Sequence, residues 1–366
     1  MTCSQPFYLL PPRNNSTTSL KISETLASVN QFYAPIHHYL SYFLILLGFL
    51  LNFSILVVLS QKQMRRLGVN VMMMSIAFCD FFCSTFAGML LILEQLSGES
   101  SKDSYPRAVF LLIYDYMTIG FHSSSIFLGV AMAFCRIMSL TFSNKNSELW
   151  HTPRYANRLT FAVFGLVFTL SLAFIPFHSI DRAVSNLKGS SDPFDMSSLL
   201  TGNNCFYLKA THWLLGVGFK MIPCILLFLF SAMLLRKIGI NRKKTRLLQQ
   251  TQNLYFKGRV DRSSSLIVSV LIIFLLTELP QAIIHVFGAL FISDFLSHVV
   301  VNIEDILDML SLINSTTIFI IYSLLSLQFR RIFCKIFVPR IVQRHLDRNV
   351  STPMQIVSTV VGKKAC

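Results

Sequence analysis

An apolar stretch with an acid and a proline near its centre constrains this chain more than any other feature. Residues 263–291 are long enough to cross a bilayer, because about 20 helical residues span a hydrocarbon core of roughly 30 Å. Glu278 and Pro280 lie in the middle of the stretch. A proline there frees a carbonyl one turn earlier and bends the helix, and a buried carboxylate needs a donor, a proton or water. The stretch therefore predicts a bent membrane helix with a functional acid.

Similar apolar stretches recur along the chain. Of the 366 residues, 53% are apolar and only 13% are charged, which is far fewer charges than a soluble domain carries. We expect spans near residues 39–60, 69–93, 108–140, 159–177, 210–235 and 263–291, and a seventh after His298. The predicted fold class is an all-α membrane protein, a seven-transmembrane helix bundle.

The basic residues are distributed unevenly between the apolar stretches. Of 32 Lys and Arg residues, 24 lie in four alternate segments: three in 62–66, four in 136–158, nine in 236–262 and eight from 330 onward. Basic segments face the cytoplasm in membrane proteins. This pattern predicts a membrane topology with the N-terminus outside and the C-terminus inside. The net charge of +15 thus reports topology, and no nucleic-acid partner is expected.

The charge pattern also divides the chain into regions. We expect an extracellular tail at 1–36, a membrane domain at 37–327, an amphipathic surface helix at 328–338 and a cytoplasmic tail at 339–366. In the surface helix, Phe329, Ile332 and Phe333 share one face, which suits membrane lipid. Cys334 on the same helix is a candidate lipidation site. The outer segment 179–207 is long enough to carry a hairpin or lid.

Several residues outside the bundle suggest modification. Asn14 and Asn15 begin overlapping glycosylation sequons in the predicted outer tail. Cys3 and Cys205 are the two cysteines that would face an oxidising compartment, so they are candidates for one disulfide. Catalytic motifs and metal-ligand spacings have no plausible setting, so neither an enzyme nor a metal site is expected.

Six residues resemble landmark positions of the rhodopsin-like (class A) G-protein-coupled receptors. They are Asn52, Asp80, Arg136, Pro223, Pro280 and Tyr322. Four short motifs are similar to those of the myosuppressin and FMRFamide-related peptide receptors and the nematode serpentine class W receptors. The motifs are 220–224 (KMIPC), 261–262 (DR), 276–281 (LTELPQ) and 304–310 (EDILDML) with 313–315 (INS).

The resemblance implies an activation switch that signals to a heterotrimeric G protein. Its residues would be Arg136, Pro280, Tyr322, Asp80, Asn52 and Asn314. Near Asp80 the family likeness implies water or a sodium ion; otherwise no cofactor is expected. Two departures weaken the pattern: Cys135 stands where an acid would restrain Arg136, and Ile318 stands where an asparagine would precede Tyr322. Span 3 also lacks an outer cysteine that could pair with Cys205.

Buried charges suggest where a ligand would bind. Asp115, Glu278, Asp305 and Asp308 place carboxylates on three helices, and Lys220 is the one membrane cation, expected to pair with Asp115 or Glu278. The acids left over could receive a cationic ligand. The resemblance implies an amidated peptide ending in Arg-Phe, whose ring would lie among Tyr114, Tyr116, Phe121 and Phe127. The candidate ligand residues are Asp115, Glu278, Gln281, Asp305, Asp308, Tyr114, His122 and Lys220.

Other interpretations stay open at this point. The aromatic residues and His122 could simply be interior residues of the bundle, and Arg136 could be an interfacial arginine with a topological role only. Within the same fold the ligand could be a small chemosensory molecule. Outside it, the chain could be a transporter or a weakly coupled orphan scaffold.

Overall fold

Seven long helices build the part of the chain that the structure describes. The structure is a computed structural model, and it describes residues 17–96, 105–141, 150, 152–180, 194–196, 206–252, 259–291 and 299–338. The helices are Thr17–Leu59, Gly68–Leu96, Tyr105–Thr141, Pro153–Ser171, a fifth one made of three segments, Arg259–Leu290 and Val301–Leu325. Each is long and apolar enough to cross a membrane. We call them spans 1 to 7 in chain order, and they confirm the predicted multi-pass bundle.

Two ends of the bundle need names. The N-terminal face is the end from which span 1 enters the bundle, and the C-terminal face is the end at which span 7 leaves it.

Large apolar side chains project outward along the spans, among them Phe161, Leu276 and Leu324, which are all more than 65% exposed within the protein. This outer surface is what a lipid-facing bundle requires, because lipid covers apolar side chains as readily as a protein core does.

Span 1 begins far earlier than the apolar pattern predicts. Its helix has 43 residues and includes Pro35. At 1.5 Å per residue it is roughly 65 Å long, about twice the hydrocarbon thickness. Residues 17–36, assigned to a tail from the sequence, are therefore helical. Pro35 lies inside this helix, and a long helix tolerates a proline where its neighbours hold it.

Span 4 has clear signals at both ends. Thr152 caps the helix by accepting a hydrogen bond from the Tyr155 backbone, and Pro153 occupies the first turn. The helix ends in a 3-10 turn, Leu172–Phe177, which leads into strand β1, His178–Ile180. β1 pairs antiparallel with β2, Phe194–Met196. These paired strands are the hairpin that the long segment after span 4 suggested.

Span 5 changes helix type along its length. An α-helix, Phe206–Trp213, passes into a π-helical segment, Leu214–Met221, and then into the α-helix Ile222–Gln252. The wider segment lies directly before Pro223, which has no N–H to donate to the preceding turn. Near the start of span 5, the Tyr207 hydroxyl donates to the Ala173 carbonyl. The π-helical segment carries Lys220, so it positions the membrane cation.

The main core lies in the half of the bundle next to the C-terminal face. One cluster there joins Ile137 of span 3, Leu234 of span 5 and Leu271 of span 6. A short helix, Leu327–Phe337, follows span 7 and begins at the cap Ser326. Its Phe329 is fully buried, and the ring lies 5.3 Å from Tyr322 and 5.7 Å from Phe319. The apolar face of this helix thus packs on span 7.

Candidate functional site

A cavity of about 420 Å³ lies among six of the spans, in the half of the bundle next to the N-terminal face. Its walls come from spans 1, 2, 3, 5, 6 and 7. Val300 and Glu304 lie towards its mouth, and Asp80 and Ser315 lie at its floor near the middle of the bundle. The volume falls within the range of small-ligand sites. This cavity is therefore the candidate binding site.

The mouth of the cavity is acidic. Glu304 and Asp308, one helical turn apart on span 7, both line it. Asp305 lies beside them, with its carboxylate 3.8 Å from Nε2 of His37 on span 1. Asp115 of span 3 is close enough to Glu304 for their charges to interact. Four carboxylates from spans 3 and 7 therefore gather here, which favours a cationic group.

A charged network lies deeper, between spans 3, 5 and 6. Lys220 Nζ is 3.4 Å from Glu278 Oε2, and both side chains are buried. His122 Nε2 lies 3.3 Å from the same oxygen. The pairing of Lys220 with Glu278 is one of the two that the sequence predicts. Because two basic groups converge on one carboxylate, Glu278 is stabilised although none of it is exposed.

Span 7 joins this network through amide and hydroxyl groups. Asn314 Nδ2 donates to the second oxygen of Glu278 at 3.4 Å. Lys220 also donates to Gln281 Oε1, and Gln281 Nε2 donates to Ser311 Oγ at 3.1 Å. The same amide donates to the Thr277 carbonyl at 3.1 Å. The preceding carbonyl, that of Leu276, has no backbone donor one turn later, because Pro280 lacks an N–H. Four spans are thus tied together around Pro280.

The floor of the cavity is polar, and some of its buried oxygens lack a hydrogen-bond partner. Asn52 Nδ2 donates to the carbonyls of Gly48 and Ser315, at 2.9 Å and 3.1 Å. Within the described residues, the buried side-chain oxygens around this floor that have no hydrogen-bond partner include Asp80 Oδ2, Asn52 Oδ1 and Asn314 Oδ1. Unpaired buried oxygens are costly unless water or a cation satisfies them. A hard cation prefers oxygen ligands, so these residues fit a sodium ion.

The remaining switch candidates lie towards the C-terminal face. Arg136 is 8% exposed in the span 3 helix. The hydroxyl of Tyr322, also buried, donates to Oδ1 of Asn70 at 3.4 Å, and Asn70 Nδ2 donates to the Met64 carbonyl at 2.9 Å. Asn70 of span 2 therefore supplies a polar partner for Tyr322, in a chain that lacks the asparagine expected before that tyrosine.

The structure brings together some of the predicted ligand residues and separates others. Those that line the cavity are Tyr114, His122, Lys220, Gln281 and Asp308. Glu278 lies behind Lys220, while Asp115 and Asp305 stand next to the mouth. Tyr116, Phe121 and Phe127 pack elsewhere: Tyr116 and Phe121 contact Phe168 of span 4, and Phe127 joins a cluster with Val167 and Phe219. These three rings belong to the bundle interior, which is the alternative that the sequence left open.

Sequence reasoning missed several polar residues that line the cavity, among them His37, His285, Glu304 and Ser311. Glu304 carried a usable signal, because a residue four before Asp308 shares its helix face. His37 carried none, since it precedes the apolar stretch 39–60 that predicts span 1.

The structure does not test the predicted disulfide, glycosylation and lipidation sites. Cys3, Cys205, Asn14 and Asn15 lie outside the described residues, so their disulfide and glycosylation stay predictions. Cys334 is disulfide-bonded in the structure. A lipid on this residue would require the reduced thiol, and lipidation of Cys334 also stays a prediction.

Comparisons with known proteins agree with the bundle. The model of the family described as serpentine type 7TM GPCR chemoreceptor Srw matches residues 39–339. The G-protein coupled receptor dmsr-1 of Caenorhabditis elegans is 28% identical, over 98% of this chain and 78% of its own length. The sex peptide receptor of Drosophila melanogaster is 26% identical, over 93% of this chain and 80% of its own length.

Proposed function

This chain belongs to the Srw family of serpentine seven-transmembrane G-protein-coupled receptors, and from that premise we propose that its extracellular ligand is a short peptide with a cationic side chain. Membership makes the chain a receptor, not an enzyme, and implies coupling to a G protein. The peptide class is supported by the name of the sex peptide receptor, which aligns over most of both chains. An amidated, FMRFamide-like peptide is the specific candidate.

One observation carries the proposal: Glu304 and Asp308 line the mouth of the cavity, with Asp115 and Asp305 next to them. A guanidinium can bind a carboxylate through two parallel hydrogen bonds, which makes arginine a suitable partner for this group. The cavity of about 420 Å³ suits the end of a peptide, with the remainder leaving through the mouth. Tyr114 offers an aromatic surface within the same cavity.

The orientation follows from the charge distribution. With the N-terminus outside the plasma membrane, the cavity opens to the extracellular side and the basic segments lie in the cytoplasm. The helix Leu327–Phe337 then lies at the inner surface, where its basic residues suit anionic membrane lipid.

Signalling would proceed by movement of span 6 about Pro280, which opens a cleft at the C-terminal face for the G protein. Arg136 and Tyr322 are the switch residues at that face, and their release would accompany the opening. Asp80, Asn52 and Asn314 are the residues that would hold sodium. A bound cation there would neutralise buried negative charge in the resting state.

Peptide activation tests the proposal. We expect a panel of amidated peptides, some ending in Arg-Phe, to raise G-protein activation in cells that display the chain. Asp308→Asn and Glu304→Gln should each lower peptide potency about tenfold or more at unchanged surface expression, since a charge-assisted hydrogen bond contributes about 1.5–3 kcal/mol. Glu24→Gln, which removes an exposed acid of span 1, is the matched control.

A small chemosensory molecule is the second candidate, because the family description names chemoreceptors. An uncharged molecule of this kind would keep its potency in Asp308→Asn. Arg136→Ala should abolish the response to either class, and unaltered signalling from that variant would contradict the switch assignment. Uptake that survives Arg136→Ala would instead indicate a transporter, and a lack of any agonist-dependent nucleotide exchange would indicate a scaffold.

A further inference from the structure

Lys220 is the point at which the cavity meets the charged network. Its side chain lines the cavity and also donates to Gln281 and to Glu278. Glu278 itself is fully buried and is not part of the cavity wall. Anything that occupies the cavity can therefore reach Lys220 directly, and can reach Glu278 through Lys220, His122 or Asn314.

Glu278 lies at a mechanically sensitive place in span 6. It comes two residues before Pro280, where the helix lacks one backbone hydrogen bond. The ion pair joins this point to span 5, and the Asn314 amide joins it to span 7. At the other end of span 6, Ile267 and Leu271 are buried with Ile137 of span 3 and Leu234 of span 5. The structure thus shows span 6 closed against its neighbours while the pair is intact.

Breaking one half of a buried ion pair costs more than replacing both halves. Removing Lys220 alone leaves the Glu278 carboxylate with less compensation in an apolar interior, whereas neutral side chains at both positions need no charge partner. The unpaired charge is relieved if span 6 moves and admits water. The pair therefore stabilises the closed arrangement relative to an open one.

We propose that the Lys220–Glu278 ion pair is a lock that holds span 6 closed, and that Lys220 is the positioning residue through which an occupant of the cavity releases it. The occupant would present a hydrogen-bond acceptor to the ammonium group, in competition with Glu278 and Gln281. The proposal rests on the proposed function, because it assumes that movement of span 6 is the signalling step. It adds the residue pair that restrains this step and the acceptor chemistry that relieves it.

Ligand-free receptor provides the test, since the lock should open without an agonist when either partner is removed. Purified full-length receptor in lipid discs would be compared with Lys220→Met, Glu278→Gln and the double variant. Basal nucleotide exchange should rise about tenfold in each single variant, the effect of a shift of about 1.4 kcal/mol in the conformational equilibrium. The double variant should rise no further than the larger single one, because all three lose the same interaction. Glu24→Gln, which neutralises an exposed acid of span 1, should stay at the wild-type level.

A second measurement needs neither a ligand nor a G protein. Spin labels at Gln63, in the turn after span 1, and at Ile272, on the outer face of span 6, report the distance between these spans at the C-terminal face. We expect a longer-distance population in each single variant and a smaller one in the double variant, which leaves no unpaired buried charge. Glu24→Gln should give the wild-type distribution.

The outcomes separate this proposal from the proposed function. Wild-type distance distributions in variants that fold would refute the lock. A rise in basal exchange in the double variant that equals the product of the two single rises would also refute it, because the two substitutions would then act independently. If a single variant fails to fold, the double variant still tests the lock through its distance distribution, because it leaves no unpaired charge. Failure of every peptide to activate the receptor would refute the peptide proposal and leave the distance measurement unchanged.

Discussion

Gly216→Ala tests how closely spans 5 and 6 approach beside the charged network. A β-carbon at this position would lie 2.9 Å from the carbonyl carbon of His285 and 3.0 Å from its oxygen. These are backbone atoms of span 6, so a whole helix must move to make room. Overpacking of this kind costs about 1–3 kcal/mol.

Gly165→Ala provides the matched control in span 4. Nothing lies within 4 Å of a β-carbon built there. Alanine is favoured over glycine inside a helix by about 0.5–1 kcal/mol, so this variant should be slightly stabilised. The difference between the two variants isolates the clash at Gly216, because the gain in helix propensity applies to both.

Thermal unfolding with a thiol-reactive dye measures this difference. Cys79, Cys135 and Cys224 are buried free thiols that become reactive when the bundle opens. Each kcal/mol should move the Tm by about 2–4 °C in a chain of this order of size. We expect Gly216→Ala to unfold clearly below Gly165→Ala. Equal Tm values for the two variants would refute the close approach of spans 5 and 6.

Three further predictions concern other parts of the bundle. Phe329→Ala should lower the free energy of unfolding by about 3–5 kcal/mol, as expected for a buried aromatic ring, whereas Phe337→Ala, at a half-exposed ring, should change the Tm little. Asn52→Ala removes the donor shared by two buried carbonyls and should cost about 1–3 kcal/mol in the same thermal assay; a cost near zero would show that the bonds contribute nothing. Replacing sodium chloride by choline chloride should lower the Tm of the wild-type receptor but not that of Asp80→Asn, and an equal response of both would exclude a sodium site at the cavity floor.

The sequence predicts the parts of the structure that depend on burial in lipid. Apolar length identifies the seven spans because the bilayer sets the minimum length of each one. The cost of an isolated membrane charge predicts that Lys220 has an acidic partner, and Glu278 is one of the two acids proposed. Interruption of helix hydrogen bonding by Pro280 is likewise visible in the sequence alone.

Features that depend on the rotation of each helix were harder to predict. Phe121 and Phe127 lie on the cavity-bearing span 3, yet their rings face span 4 and the cluster of Phe219. The sequence shows that a ring is buried, but not which neighbour buries it. His37 was missed for another reason: the helix of span 1 extends well beyond the apolar stretch, and polar residues there carry no membrane signal.

The Glu278 carboxylate makes polar contacts with side chains on three different spans: His122 on span 3, Lys220 on span 5 and Asn314 on span 7. A substitution at any one of these four positions changes the charge or hydrogen-bond balance at the other three. Sequence drift at these sites should therefore be epistatic, so that related receptors either keep the quartet or exchange several of its members together. A homologue with an apolar residue in place of Glu278 should also lack the lysine at the position of Lys220.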